Sequence, residues 1–151
     1  MINNLRRSRF VIWSVVILSI ITGLLTAWRS VETEATNTAL IVASKRILDR
    51  ANLYKQQYLL NGHRQMNDSG DPLSYSRTGW LLPIDQSDVS CDYWLEQLYP
   101  DGRVLGLDSP KIENLSDQFE YHCRYQYTEK HQIEILLKGE RFRVMANILA
   151  Q

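Results

Sequence analysis

The chain has 151 residues, 17 lysines and arginines against 17 aspartates and glutamates, 44% hydrophobic residues and two cysteines. That length holds one small domain beside any anchor. Beyond Arg29 the basic count falls to 13, which is 17 less Arg6, Arg7, Arg9 and Arg29, while all 17 acids remain, a balance that excludes the basic footprint of a nucleic-acid binder.

Phe10 to Trp28, FVIWSVVILSIITGLLTAW, carries no charge over nineteen residues and follows Arg6, Arg7 and Arg9. As a helix rising about 1.5 Å per residue it spans roughly 28 Å, close to the hydrocarbon thickness of a bilayer. A secretory signal shares the basic-then-apolar order, but its apolar run is about 7–15 residues and ends at a small-x-small cleavage site. This run is longer and leaves through Trp28 and Arg29. The expectation is a retained single span, with residues 1–9 cytoplasmic, 10–28 in the membrane and the rest outside, by the positive-inside rule. Ser14, Ser19, Thr22 and Gly23 are small residues that permit close approach of a second membrane helix.

Residues 29–61 continue as an amphipathic helix. Leu40, Ser44, Ile47, Ala51, Tyr54 and Tyr58 recur at alternating steps of four and three, with Ile41, Leu48 and Leu59 widening the stripe. Lys45, Arg46, Asp49, Arg50, Lys55 and Gln56 take the opposite face. No proline interrupts residues 10–60, and Asn61-Gly62 is the stop signal. About three heptads with Ser44 and Ala51 at the seam make a weak coiled coil, so the chain's own C-terminal domain is expected to cover the stripe. Residues 62–79, GHRQMNDSGDPLSYSRTG, read as a connecting loop.

Residues 80–151 read as a small sheet domain. A short helix over Asp92–Leu98 places Trp94, Leu95 and Leu98 on one side and stops at Pro100. Phe119, Tyr121, Cys123, Tyr125 and Tyr127 then alternate with Glu120, His122, Arg124 and Gln126, the period of a half-buried strand. HQIEILLKG and ERFRVMANIL are two further β-prone runs that turn at Lys138-Gly139-Glu140. The fold class is α+β, a long N-terminal helix packed on a small antiparallel sheet of three or four strands. Cys91 and Cys123 both fall in the exported part, where an oxidising compartment lets them pair, and a loop of about 33 residues would gain roughly 3–4 kcal/mol by closure. Two buried free thiols are the other reading.

Chemistry-bearing patterns are sparse. His63, His122 and His131 lack metal-ligand spacing and read as solvated surface residues. Asp85, Asp88, Asp92 and Glu96 cluster, and the last three would align at i, i+4 and i+8 if the short helix began early. They lack the alternating ligands and glycine of a calcium loop, so a solvated acidic rim with an aspartate N-cap is the better reading. Tyr93 and Tyr99 are candidate surface contacts, and the head aromatics at alternating positions, such as Tyr121, Tyr125 and Tyr127, are expected in the core. With no phosphate loop, nucleophile elbow or zincin motif, neither catalysis, a cofactor, a metal nor a small-molecule substrate is expected.

The order of these features resembles a type IV pilin or pseudopilin: a membrane helix beginning at Phe10, its amphipathic extension, a connecting loop, Gly79-Trp80 to Pro83, Cys91 with Trp94, and Cys123-Arg124-Tyr125-Gln126-Tyr127 leading into a meander. The last three segments most resemble pilins of the mannose-sensitive haemagglutinin (MSHA) system. The resemblance implies a non-catalytic protein of the bacterial inner membrane with a periplasmic head. Its partners would be other pilins or pilus-assembly proteins.

Two departures have physical meaning. Arg9 stands where pilin leaders end in Gly before the processed Phe, and Ser14 stands where mature pilins carry a Glu that neutralises a neighbour's N-terminal amine. An uncut chain has no such amine to neutralise in the apolar core, so the two absences agree and imply an accessory role in pilus biogenesis. The alternatives are a minor pseudopilin of a type II-like secretion system and a single-span periplasmic sensor, whose cytoplasmic segment of about nine residues is too short for an output domain.

Overall fold

The proline-free stretch forms one helix, α1 (Ile2–Asn61), in the computed structural model of the chain, which describes residues 2–61, 70 and 72–149. The chain divides into two units, Met1–Ala35 and Thr36–Gln151. Gly62, His63 and most of the expected connector lie outside the described residues, as do the side chains of Arg6, Arg7, Arg29 and Glu32.

In the first unit, Phe10 to Trp28 are exposed on every side, and α1 is long and apolar enough to cross a membrane. Two threonine hydroxyls turn back on their own helix: Thr22 Oγ1 donates to the Leu18 carbonyl at 2.8 Å and Thr26 Oγ1 to that of Gly23 at 2.9 Å. Hydroxyls bonded in this way present no unsatisfied donor to an apolar surrounding.

In the second unit, α1 buries Leu40, Ala43, Ile47 and Ala51, while Ser44, Tyr54 and Tyr58 are half-buried. The true helical period of 3.6 residues selects Ala43 as well as Ser44 and turns Ile41 and Leu59 outward, so neither widens the stripe. Against this stripe lies an antiparallel sheet.

The remaining elements are β1 (Ile84–Asp85), β2 (Asp88–Val89), α2 (Cys91–Leu98), β3 (Lys111–Asn114), β4 (Glu120–Gln126), β5 (His131–Lys138) and β6 (Arg141–Ile148). β1 and β2 form a small hairpin, and the main sheet runs β3-β4-β5-β6, antiparallel throughout. The architecture is the expected α+β combination of a long helix and a small antiparallel sheet. Alternation puts Cys123, Tyr125, Ile133, Ile135, Leu137 and Phe142 on the inner face, where they meet Trp94 and Leu98 of α2 and the α1 stripe in one core.

Local chemistry sets the element ends. Ser90 caps α2, its Oγ accepting from the Tyr93 N–H at 3.2 Å, so the cap is a serine and not an aspartate. Because Asp88 is in β2, it cannot align with Asp92 and Glu96 on a helix. Phe119 is 82% exposed, outside the strand, because Asp117 Oδ1 accepts from the Phe119 and Glu120 N–H groups and holds a turn there. Tyr99 is only 7% exposed: it ends α2 and its hydroxyl donates to the Arg103 carbonyl, which makes it core and not a surface contact.

Candidate functional site

The centre of the head is a staple. Cys91 of α2 and Cys123 of β4 form a disulfide with Cα atoms 5.6 Å apart. Beside it the Tyr125 hydroxyl donates to the Cys91 carbonyl at 2.8 Å, and Trp94 Nε1 donates to the Leu81 carbonyl at 3.0 Å. Burial pushes the Tyr125 and Tyr75 phenols well above the ordinary tyrosine value and Tyr127 up to about 12. These aromatics are core groups whose polar tips are directed to backbone or held protonated.

Polar chemistry gathers on the outer face of the sheet. Glu134 of β5, 8% exposed, accepts from Arg124 Nε at 3.0 Å and Gln132 Nε2 at 3.2 Å, with His122 Nε2 at 3.3 Å. Arg124 also reaches Glu113 at 3.4 Å, and Lys111 Nζ lies 3.0 Å from the same carboxyl, whose pKa the lysine hydrogen bond lowers. Lys138 pairs with Glu120 at 2.9 Å. A charge lattice therefore runs from β3 to β5. His122 belongs to it and is not the solvated residue expected from sequence.

The lattice stops short of β6. Among the described residues Arg141 and Arg143 have no ion pair, and with Leu136 and Lys138 they line a cavity of about 320 Å³.

His131 is also tied down. Its Nε2 lies 2.8 Å from Asn37 Oδ1 and its Nδ1 2.9 Å from Thr128 Oγ1. Through these two contacts the ring fixes the β4–β5 turn to α1. At the other end of the sheet Trp80 stacks on Phe142 at 5.0 Å, with Lys55 Nζ 4.1 Å from the indole centre.

A groove of about 500 Å³ opens between Arg46, Asp49, Arg50 and Leu53 of α1 and Leu98, Tyr99, Pro100 and Asp101 at the end of α2. Arg50 Nε is buried there with no hydrogen-bond partner among the described residues. Two arginines and two aspartates leave the groove without net charge, so it selects no ligand by sign.

The remaining sequence-predicted residues separate. Ser19, Thr22 and Gly23 line one shallow groove of α1 with Val15, Leu18 and Thr26, while Ser14 is not among its lining residues, and the Gly23 Cα is open to a neighbour's close approach. Asp85 and Asp88 sit on the β1–β2 hairpin and Asp92 and Glu96 on α2. Among the described residues no group of three or more His, Cys, Asp or Glu is placed to hold a metal ion. The outer-face lattice was missed because it assembles residues from three strands, although Glu134 in the middle of an apolar run was its one signal in the sequence.

The chain matches no known protein family, no curated protein and no solved structure.

Proposed function

We propose that this protein is a membrane-anchored, non-catalytic, pilin-like subunit that assists assembly of a type IV pilus of the MSHA kind by contacts with other pilins or assembly proteins. The observation that carries the reading is α1: its first part is apolar on all sides, and its second part buries one stripe beneath a disulfide-closed antiparallel sheet. In this reading the N-terminus is cytoplasmic, the head is in the periplasm, and the face bearing Ser19, Thr22 and Gly23 packs on a neighbour's membrane helix. Arg9 before Phe10 keeps the chain uncut and holds it in the membrane as an accessory factor.

The test is the mature N-terminus and mass of the protein from its native membranes, with and without prepilin peptidase. A start at Met1 or Ile2 in both supports a retained assembly factor. A peptidase-dependent start at Phe10 overturns the accessory role and makes the chain a processed minor pilin or secretion pseudopilin.

A further inference from the structure

The two edges of the main sheet are unequal. β3 has four residues, follows Pro110, and is tied to the neighbouring hairpin by Asn114 Nδ2 donating to the Val89 carbonyl at 3.4 Å. β6 has eight residues and pairs with β5 in an unbroken register from Lys138↔Arg141 to His131↔Ile148.

Parity decides which way its backbone points. The pair that closes a two-residue hairpin loop is hydrogen-bonded, so Arg141, Arg143, Met145 and Asn147 direct their N–H and C=O groups to β5. The Leu149 N–H donating to the Lys130 carbonyl at 2.9 Å continues the same parity. Phe142, Val144, Ala146 and Ile148 direct theirs away from β5, and among the described residues no other backbone group receives them.

Edge strands are ordinarily blunted by prolines, charges, bulges or shortness. Residues 144–149, VMANIL, contain no charge and no proline, and the register holds no bulge. Ile148 is 38% exposed and Leu149 53%. Among the described residues the edge is thus open, uncharged over its second half, and flanked at its start by two arginines without an ion pair.

We propose that β6 is a strand-addition site for an extended segment of a partner protein, one with apolar side chains along Val144, Ala146 and Ile148 and acidic side chains beside Arg141 and Arg143. The inner-face neighbours set the apolar requirement, because an added strand continues the face on which these half-exposed residues lie. The outer-face neighbours set the acidic one, because the charge lattice ends at β5 and leaves both guanidinium groups unanswered. A second copy does not fit. Antiparallel pairing of two β6 strands brings no acid to either arginine. The site does not depend on the pilus reading.

The experiment uses the full chain in lipid nanodiscs and amide hydrogen exchange at Val144 and Ala146. The probes are the peptide Thr-Val-Thr-Val-Asp-Val-Asp-Val, its reversed sequence, and the same two with Lys replacing Asp. Free protein should exchange both amides quickly, and one acidic peptide should slow them about tenfold or more relative to its lysine counterpart. In R141E/R143E the preference should invert, with Ile133 and Ile135 protection showing that the sheet remains folded. No slowing by either acidic peptide overturns the proposal, as does equal slowing by the lysine peptides. Slowing that rises with protein concentration and needs no peptide assigns the edge to a second copy and also overturns it. The wild-type comparison stands even if the double variant fails to fold.

Discussion

Trp80 Nε1 donates to the carbonyl of Glu140, sixty positions further along the chain, at 3.0 Å. With its ring stacked on Phe142, this one residue holds the β5–β6 turn against the segment that follows the connector. Trp80→Phe keeps an aromatic surface and loses the hydrogen bond, which should cost about 1 kcal/mol. Trp80→Ala should cost about 3–5 kcal/mol. Urea unfolding followed by near-ultraviolet circular dichroism separates the two, and equal losses would count against the bond to Glu140.

Removing the staple is a second test. Closing a loop between Cys91 and Cys123, 32 residues apart, confines the unfolded chain. C91A/C123A should lower unfolding free energy by about 3–4 kcal/mol, and reduction of the wild type should do the same. A loss below about 1 kcal/mol in the same urea titration would contradict this.

Gly79 has φ +85, and a Cβ there would lie 2.6 Å from the Tyr58 ring. Gly79→Ala therefore meets both backbone strain and a clash in a place where Tyr58 is already against Tyr75 at 4.9 Å. The substitution should destabilise the head by about 2 kcal/mol or more. An alanine variant with an unchanged melting midpoint would show that the ring moves aside freely.

The buried phenols make stability sensitive to alkali. Burial raises the folded-state values of Tyr125, Tyr75 and Tyr127, the last to about 12, above the roughly 10 of an unfolded tyrosine. Their contribution is complete below about pH 10 and is lost as the pH rises through the folded values, because the unfolded chain releases these protons first. The melting midpoint should fall between about pH 10 and 12, with phenolate absorbance rising together with loss of near-ultraviolet dichroism. Tyr127→Phe should weaken the descent.

Much of this fold was legible because periodicity reports directly on burial. The alternation around Cys123 and Tyr125 and the two runs meeting at Gly139 define β4, β5 and β6, and Trp94, Leu95 and Leu98 define the buried side of α2. What was illegible depends on short range or on assembly. Phe119 continues the alternation yet is turned out by Asp117, a competition that a period cannot express. β3, four residues long, has too little pattern to register, and the β1–β2 hairpin turns through Gln86 and Ser87 at positive φ, without the glycine that ordinarily marks such a turn. His122 and Glu134 are neighbours only through strand pairing, so neither sequence position announces the other.

The inequality of the sheet's edges bears on how copies of the chain can be arranged. A row of sheets grows only if each member offers one receptive margin and one that docks, and here the β3 margin is short and already fastened to its neighbouring hairpin. Among the described residues the head therefore offers one long margin for strand pairing and not two equal ones. In that sense the head is a terminus and not a link.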